Sequence, residues 1–232
     1  MFDPGLTELL EQGRAVGKTG KVFKNLAALS TRNNLETIYR LMLHLAPMRT
    51  LETGFAFGGS TLVICASHKE LGHSPECQHV VIDPHQTTVW DSCGLVALDR
   101  ASLSDYADFH EQASALVLPK LLEAKVQFEF AYIDGSHVFE DVFVDAYFVV
   151  RLLAMGGVVA FDDSTSPHIA KVLKFLRRVC RPGLQEIDLT PFRASRAGLL
   201  YRLSRRFGKV QLTAFRRVGE IERAWDSRFI VF

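Results

Sequence analysis

The chain has 232 residues, 48% of them hydrophobic and 23% charged, which excludes disorder over most of its length. Its 27 Lys and Arg balance 26 Asp and Glu to a formal net charge of +1, so there is no global attraction to nucleic acid. The size suits one substantial domain with a full core.

Residues 6–45 read as helical with breaks. Within them "NNLETIYRLMLHLA" sets Leu35, Ile38, Leu41, Met42 and Leu45 on one face, with Asn34 as the expected N-cap and Pro47 as the stop. "RTLETG" is a short buried strand, "GSTLVICASHKEL" has helical length, and "HVVIDP" is a second strand. From His85 to Asp108 the polar and apolar residues settle into no period. "SALVLPKLLEA" reads as helix, "FEFAYIDG" as strand, "FEDVFVDAYFVVRLLA" as helix and "GGVVAFDD" as strand. "HIAKVLKFLRRVC" is a basic amphipathic helix stopped by Arg-Pro-Gly, and "LQEIDL" and "VQLTAFRRV" are two last strands. Strands alternating with helices imply a mostly parallel sheet covered on both faces. The expected organisation is a single α/β domain over residues 47–232, with an N-terminal helical extension over residues 1–46.

Cys65, Cys77, Cys93 and Cys180 form no CxxC pair, and the N-terminus lacks the layout of a signal peptide. Reduced thiols in a cytoplasmic protein are expected. The longest apolar region, "VFVDAYFVVRLLAMGGVVAF", is broken by Asp145, Arg151 and a Gly-Gly pair, so no membrane span is expected. Arginine concentrates in "RASRAGLLYRLSRRFGK" and "FRRVGEIER". This reads as a solvated face with stems lying on apolar surface, with an anion site as the alternative.

Four strands end in acids: Glu52, Asp83, Asp134 and the pair Asp162-Asp163. In doubly wound sheets, ligands bind beyond the carboxyl ends of the strands, so four acids on that edge read as a site rather than as turn caps. The first loop, "ETGFAFGGST", has glycines at 54, 58 and 59. That spacing fails the G-x-G-x-x-G dinucleotide fingerprint, and "GRAVGKT" at 13–19 is one residue short of a phosphate loop and follows no strand. An acid before a widely spaced glycine loop suits a nucleoside-bearing ligand with no pyrophosphate to cradle. Glu52 would orient the loop or meet a cationic group, and Asp83 would accept from a ribose diol. Asp134, Asp162 and Asp163 form an oxygen donor set for a divalent metal such as Mg²⁺. His137, three residues after Asp134, is the expected proton acceptor, with His85 and His168 as weaker competitors. Phe55, Phe57 and Trp90 offer an aromatic wall for an acceptor.

These motifs together resemble class I S-adenosylmethionine-dependent methyltransferases. The likeness is strongest to Mg²⁺-dependent small-molecule O-methyltransferases of the catechol and macrolide or aminocoumarin sugar types. It runs from about residue 33 to 180 and rests on "LETGFAFGGST", "VVIDP", "YIDGSHVFEDVFVDA" and "LLAMGGVVAFDDS". The resemblance implies a Rossmann-like doubly wound sheet of seven mostly parallel strands, in the order 3-2-1-4-5-7-6. It implies an S-adenosylmethionine site at Glu52, Gly54, Phe55, Gly58, Gly59, Ser60, Asp83, Gln112, Ser114 and Asp134, with Ser114 near adenine. It also implies a metal at Asp134, Asp162 and Asp163 and catalysis by His137 and Asp134. In the catechol type the third ligand is Asn and the base is Lys, where this chain has Asp163 and His137. The expected partner is a small hydroxylated acceptor, with a homodimer as the expected assembly. A non-catalytic nucleoside-binding module, a metal-dependent hydrolase and an α/β oxidoreductase are the alternatives.

Overall fold

Short runs of β-branched and aromatic residues form the centre of the molecule, because strands buried on both faces need no polar alternation. The computed structural model describes residues 4–75, 79–193, 199, 202–203 and 210–232. Its main sheet contains β1 (Thr50–Thr53), β2 (His79–Ile82), β3 (Ala107–His110), β4 (Phe128–Ile133), β5 (Leu153–Phe161), β6 (Leu184–Glu186) and β7 (Thr213–Arg217). Their spatial order is β3-β2-β1-β4-β5-β7-β6, the order 3-2-1-4-5-7-6 implied by the resemblance. The first five strands are mutually parallel, and β7 runs antiparallel between β5 and β6.

The helices named among the described residues are α1 (Pro4–Gln12), α2 (Arg32–Leu45), α3 (Gly59–Glu70), α4 (Cys93–Arg100), α5 (Ser114–Glu123), α6 (Phe139–Leu152) and α7 (Pro167–Val179). The period of two along β4 divides the core. Phe130 and Tyr132 point into the cluster with Leu35, Ile38 and Leu62, while Ala131 and Ile133 point into the cluster with Val149, Val172 and Leu173. Among the described residues no helix is long and apolar enough to cross a membrane. Cys65, Cys93 and Cys180 are free and buried; Cys77 and most of the arginine-rich stretch lie outside the described residues.

Three local expectations change. The break in the N-terminal region is a two-stranded ribbon that pairs Ala15–Val16 with Val22–Phe23. Helix α2 starts earlier than expected: Thr31 is its N-cap and accepts from the Asn34 N–H, which leaves the Asn34 side chain free for a tertiary bond. The aperiodic segment after His85 holds α4 and edge strand β3. Every residue of β3 is only half-buried, so its pattern carries no clear alternation.

Candidate active site at the strand ends

A cavity of about 630 Å³ opens beyond the carboxyl ends of β1, β2, β4 and β5. Thr53, Gly54, Ile82, Asp83, Asp134, Asp162 and Asp163 come to it from the strands, and the 27–31 segment closes one side. Gly54 is obligatory here. Its φ is +96°, and a Cβ would overlap the Asp134 carbonyl oxygen, so the loop after β1 lies directly on the loop after β4. Gly58, also at positive φ (+88°), sits at the N-cap of α3.

Glu52 does not reach the cavity. It is fully buried behind the glycine loop and accepts from the hydroxyls of Ser60 and Thr61 and from His79 Nε2 at 2.9 Å. The network continues through Thr50 Oγ1, which lies 3.0 Å from His79 Nδ1 and 2.9 Å from His68 Nε2. His68 Nδ1 in turn lies 3.0 Å from His73 Nδ1. Burial, then the neighbouring His79 and His73, lowers the His68 pKa to about 3. Glu52 therefore anchors the first turn of α3, where Ser60 and Thr61 would otherwise leave hydroxyls buried and unpaired.

Asp83 does face the cavity, and it braces the loop as well. Its Oδ2 accepts the N–H groups of Phe55 and Ala56 at 3.0 and 2.9 Å, and its Oδ1 accepts that of His85 at 2.7 Å. A carboxylate oxygen has two lone pairs, so Oδ1 keeps one for a ligand hydroxyl.

The opposite pole is acidic. Burial and the adjacent Asp162 push the Asp134 carboxyl well above the usual aspartate range, against the pull of Ser30. Ser30 Oγ donates to Asp134 Oδ2 at 2.7 Å. Burial also raises Asp162, but its two oxygens are engaged: Oδ1 accepts from Asn34 Nδ2 at 2.7 Å and from the Asp163 N–H at 2.8 Å, and Oδ2 accepts from the Tyr132 hydroxyl. Asp163, in the left-handed region at φ 45°, turns its side chain outward, where Oδ2 lies 3.1 Å from His137 Nε2 and Oδ1 accepts from Gln211 at 3.2 Å. One ligand atom each from Asp134, His137 and Asp163 falls within 4.8 Å of the others. Of the three expected aspartates, Asp134 and Asp163 share this grouping with His137, and Asp162 lines the same cavity with both oxygens engaged.

Of the other expected residues, Ser114, Trp90 and His85 line the cavity. Gln112 is exposed and lies off it. Phe55 and Phe57 are core residues: Phe55 packs on Phe109, and Phe57 packs on Phe23 and Trp90. Gly58, Gly59 and Ser60 shape the loop from behind. His168 accepts from the Phe139 N–H at the start of α6. Sequence reasoning missed Ser30, Asn34, Tyr132, Gln211 and Asp145. Only Tyr132 carried a signal, as a polar residue in an otherwise apolar strand directly before the Ile-Asp-Gly turn.

Residues 51–164 match a family model described as a methyltransferase domain. No curated protein matches the chain by sequence. Among solved structures, the chain is similar to the O-methyltransferase TomG from Streptomyces achromogenes, involved in tomaymycin synthesis and in complex with SAM. The TM-score is 0.67 at 15% identity, over 94% of this chain and 92% of that one. It is also similar to an O-methyltransferase from Bacillus cereus in complex with SAH (TM-score 0.62, 16% identity, 81% of this chain and 84% of that one). A third likeness is to the SAH-bound Podospora anserina methyltransferase PaMTH1 (TM-score 0.64, 14% identity, 92% and 88%). At these identities the structural likeness speaks for the fold. Together, the matched stretch and this likeness show that residues 51–164 resemble a methyltransferase domain and that the chain has the Rossmann-like α/β fold of methyltransferases.

Proposed function

We propose that the protein transfers the methyl group of S-adenosylmethionine to a hydroxyl oxygen of a small acceptor, with a divalent cation held by Asp134, His137 and Asp163. One observation carries this reading: a single cavity has a glycine loop and Asp83 at one pole and a convergent carboxylate and imidazole set at the other. The names of the similar structures supply the cofactor and the oxygen acceptor by analogy.

In this reading Gly54 lies along the methionine part of the cofactor, Asp83 Oδ1 takes a ribose hydroxyl, and Ser114 lies near adenine. The sulfonium is already activated, so the protein's task is to align the acceptor oxygen with the S–CH₃ bond and to remove its proton. Two carboxylates and an imidazole would fit a divalent cation that accepts mixed nitrogen and oxygen ligands and keeps sites for substrate oxygens, and such an ion would supply charge that acidifies an acceptor hydroxyl. Ser30 and Gln211 hold the Asp134 and Asp163 carboxylates in place.

The 3.1 Å pair of His137 and Asp163 favours a second reading, in which His137 Nε2–H donates to Asp163, which orients the ring, and the opposite nitrogen, Nδ1, is the base. The test is calorimetric titration with S-adenosylhomocysteine, followed by transfer of labelled methyl to catechols and hydroxylated sugars, with Mg²⁺ or with EDTA. Folded protein that does not bind S-adenosylhomocysteine sinks the cofactor assignment. Activity that survives EDTA but is lost in His137→Ala selects the second reading.

A further inference from the structure

Residues 222–232 form an irregular segment laid along α7 and pinned there through its main chain. Arg178 donates to the Val231 carbonyl at 2.9 Å, Lys171 Nζ donates to a main-chain oxygen of Phe232 at 2.6 Å, and the Phe232 ring meets Phe175 edge-on at 5.1 Å. Within the segment, Arg223 donates to the Arg228 carbonyl at 2.6 Å. A chain held by its carbonyls keeps its side chains uncommitted. Trp225 is 98% exposed, Phe229 81% and Val231 70%. Single exposed apolar residues are ordinary, but large ones gathered in one short stretch mark a contact surface.

The ground around them is basic. Lys171, Lys174 and Arg178 stand on the exposed flank of α7, Arg181 follows its end, and Arg223 and Arg228 lie in the segment itself. Against these six cations the segment sets only Glu222 and Asp226. Of the acids next to this flank, Glu186 of β6 already faces Arg177 at 2.6 Å, and Glu220, just before the segment, lies 3.8 Å from Arg217.

Charge and shape separate the occupants. A second copy docked face to face would set cations against cations, at a cost that rises as the face dries. A folded partner has to supply a fitted pocket for each projecting side chain. A bilayer needs none: its interface takes Trp and Phe at headgroup level while lysine and arginine stems reach the phosphates. Anionic lipid supplies the opposite charge.

We propose that residues 222–232 and the basic flank of α7 form a docking face for the surface of an anionic phospholipid bilayer, on which the protein lies without spanning it. The proposal stands apart from the methyl-transfer reading and uses none of the cavity residues.

The test is flotation of the full chain with phosphatidylcholine vesicles, with and without about 30% phosphatidylserine. The protein should float with the mixed vesicles, with a partition coefficient at least about tenfold above that for phosphatidylcholine alone. Raising salt from about 0.1 to about 0.5 M should release it, because screening then acts within a few ångströms. Trp225→Ala and Phe229→Ala should each weaken partition about tenfold, by removing inserted apolar area. Lys174→Gln and Arg181→Gln should each weaken it about fivefold. All four positions are exposed, so the melting temperature should not move. Trp90 and Trp225 are the two tryptophans, so dibrominated lipid should quench the emission of the unmodified protein and leave that of Trp225→Phe unchanged. Equal partition into both vesicles, absence from both, or quenching that survives in Trp225→Phe overturns the proposal. Self-association that Trp225→Ala abolishes, without vesicle binding, gives the face to a second copy and overturns it as well.

Discussion

Ser30 Oγ donates to Asp134 Oδ2 across 2.7 Å, joining residues 104 apart in the chain and tying the N-terminal segment to the end of β4. Ser30 also lies 3.1 Å from the Tyr132 hydroxyl, which donates to Asp162. The hydroxyl opposes the rise of the Asp134 pKa, so its removal lets that carboxyl rise further. Ser30→Ala is expected to lower kcat/KM by about tenfold and to move the acidic limb of its pH profile upward, while costing about 1 kcal/mol of stability. A profile that does not move would show that Ser30 only packs.

The glycine loop offers a comparison between close approach and backbone strain. Gly54 combines φ +96° with a backbone neighbour inside contact distance, whereas Gly72 has φ +73° and open space around it. Gly72→Ala should cost about 1 kcal/mol from strain alone. Gly54→Ala should cost more than about 3 kcal/mol and lose cofactor binding with it, as the loops after β1 and β4 are forced apart. Urea titration of both variants gives the difference.

Glu52→Gln tests whether the acid behind the loop has a bracing role. It removes the charge that two hydroxyls and His79 share, and places an NH₂ group among donors. A loss of about 1.5–3 kcal/mol is expected by denaturant unfolding, with weaker S-adenosylhomocysteine binding because α3 loses its anchored first turn.

Asp145 makes stability depend on pH with a definite sign. Its folded pKa of about 6 lies above the 3.8 of an ordinary aspartate, so between those values the native state holds more protons than the unfolded chain. Stability is therefore highest below about pH 4 on this account and falls as pH rises to about 6, by on the order of a few kcal/mol. Asp145→Asn should flatten that fall and raise the melting temperature of the ligand-free protein at pH 7.5. A melting curve that moves the other way would mean that the hydroxyls of Ser114 and Thr53 outweigh the burial of the Asp145 charge.

The metal can be tested without turnover. Millimolar Mg²⁺ or Mn²⁺ should raise the melting temperature at pH 7.5 by offsetting the crowded carboxylates, and Asp163→Asn should abolish most of that rise. Asn tolerates the left-handed backbone at this position, so the variant keeps the turn. No shift with either ion would remove the cation from the proposed mechanism.

The sheet order and the acidic strand ends were legible because both follow from short-range pattern: runs of buried residues, each closed by an acid. Asn34 was misread because a polar residue before an apolar helical face looks like a cap, and only the fold reveals that it reaches Asp162. Asp145 looked like an interruption of an apolar helix, since a single acid among Val and Phe has no period to announce that it faces a cavity. Glu52 pointed away from the cavity because consecutive strand residues alternate faces, and the helix hydroxyls it meets come from a loop whose path only the fold defines. Strand β3, half-buried at the edge, lacked the apolar run that marked the other parallel strands.

The run from His73 through His68, Thr50 and His79 to Glu52 obeys a simple rule of proton count. Glu52 can only accept, so His79 must donate from Nε2. If His79 is neutral, its Nδ1 needs the Thr50 proton, Thr50 then needs a proton from His68 Nε2, and His68 Nδ1 needs one from His73. If His79 is charged, every one of those links turns round, and His73 becomes the acceptor at the outer end. As long as Thr50 spends its one proton inside the run, there are two self-consistent tautomeric alphabets. Nitrogen chemical shifts at the partly exposed His73 would then spell out the protonation of a histidine sealed beneath the glycine loop.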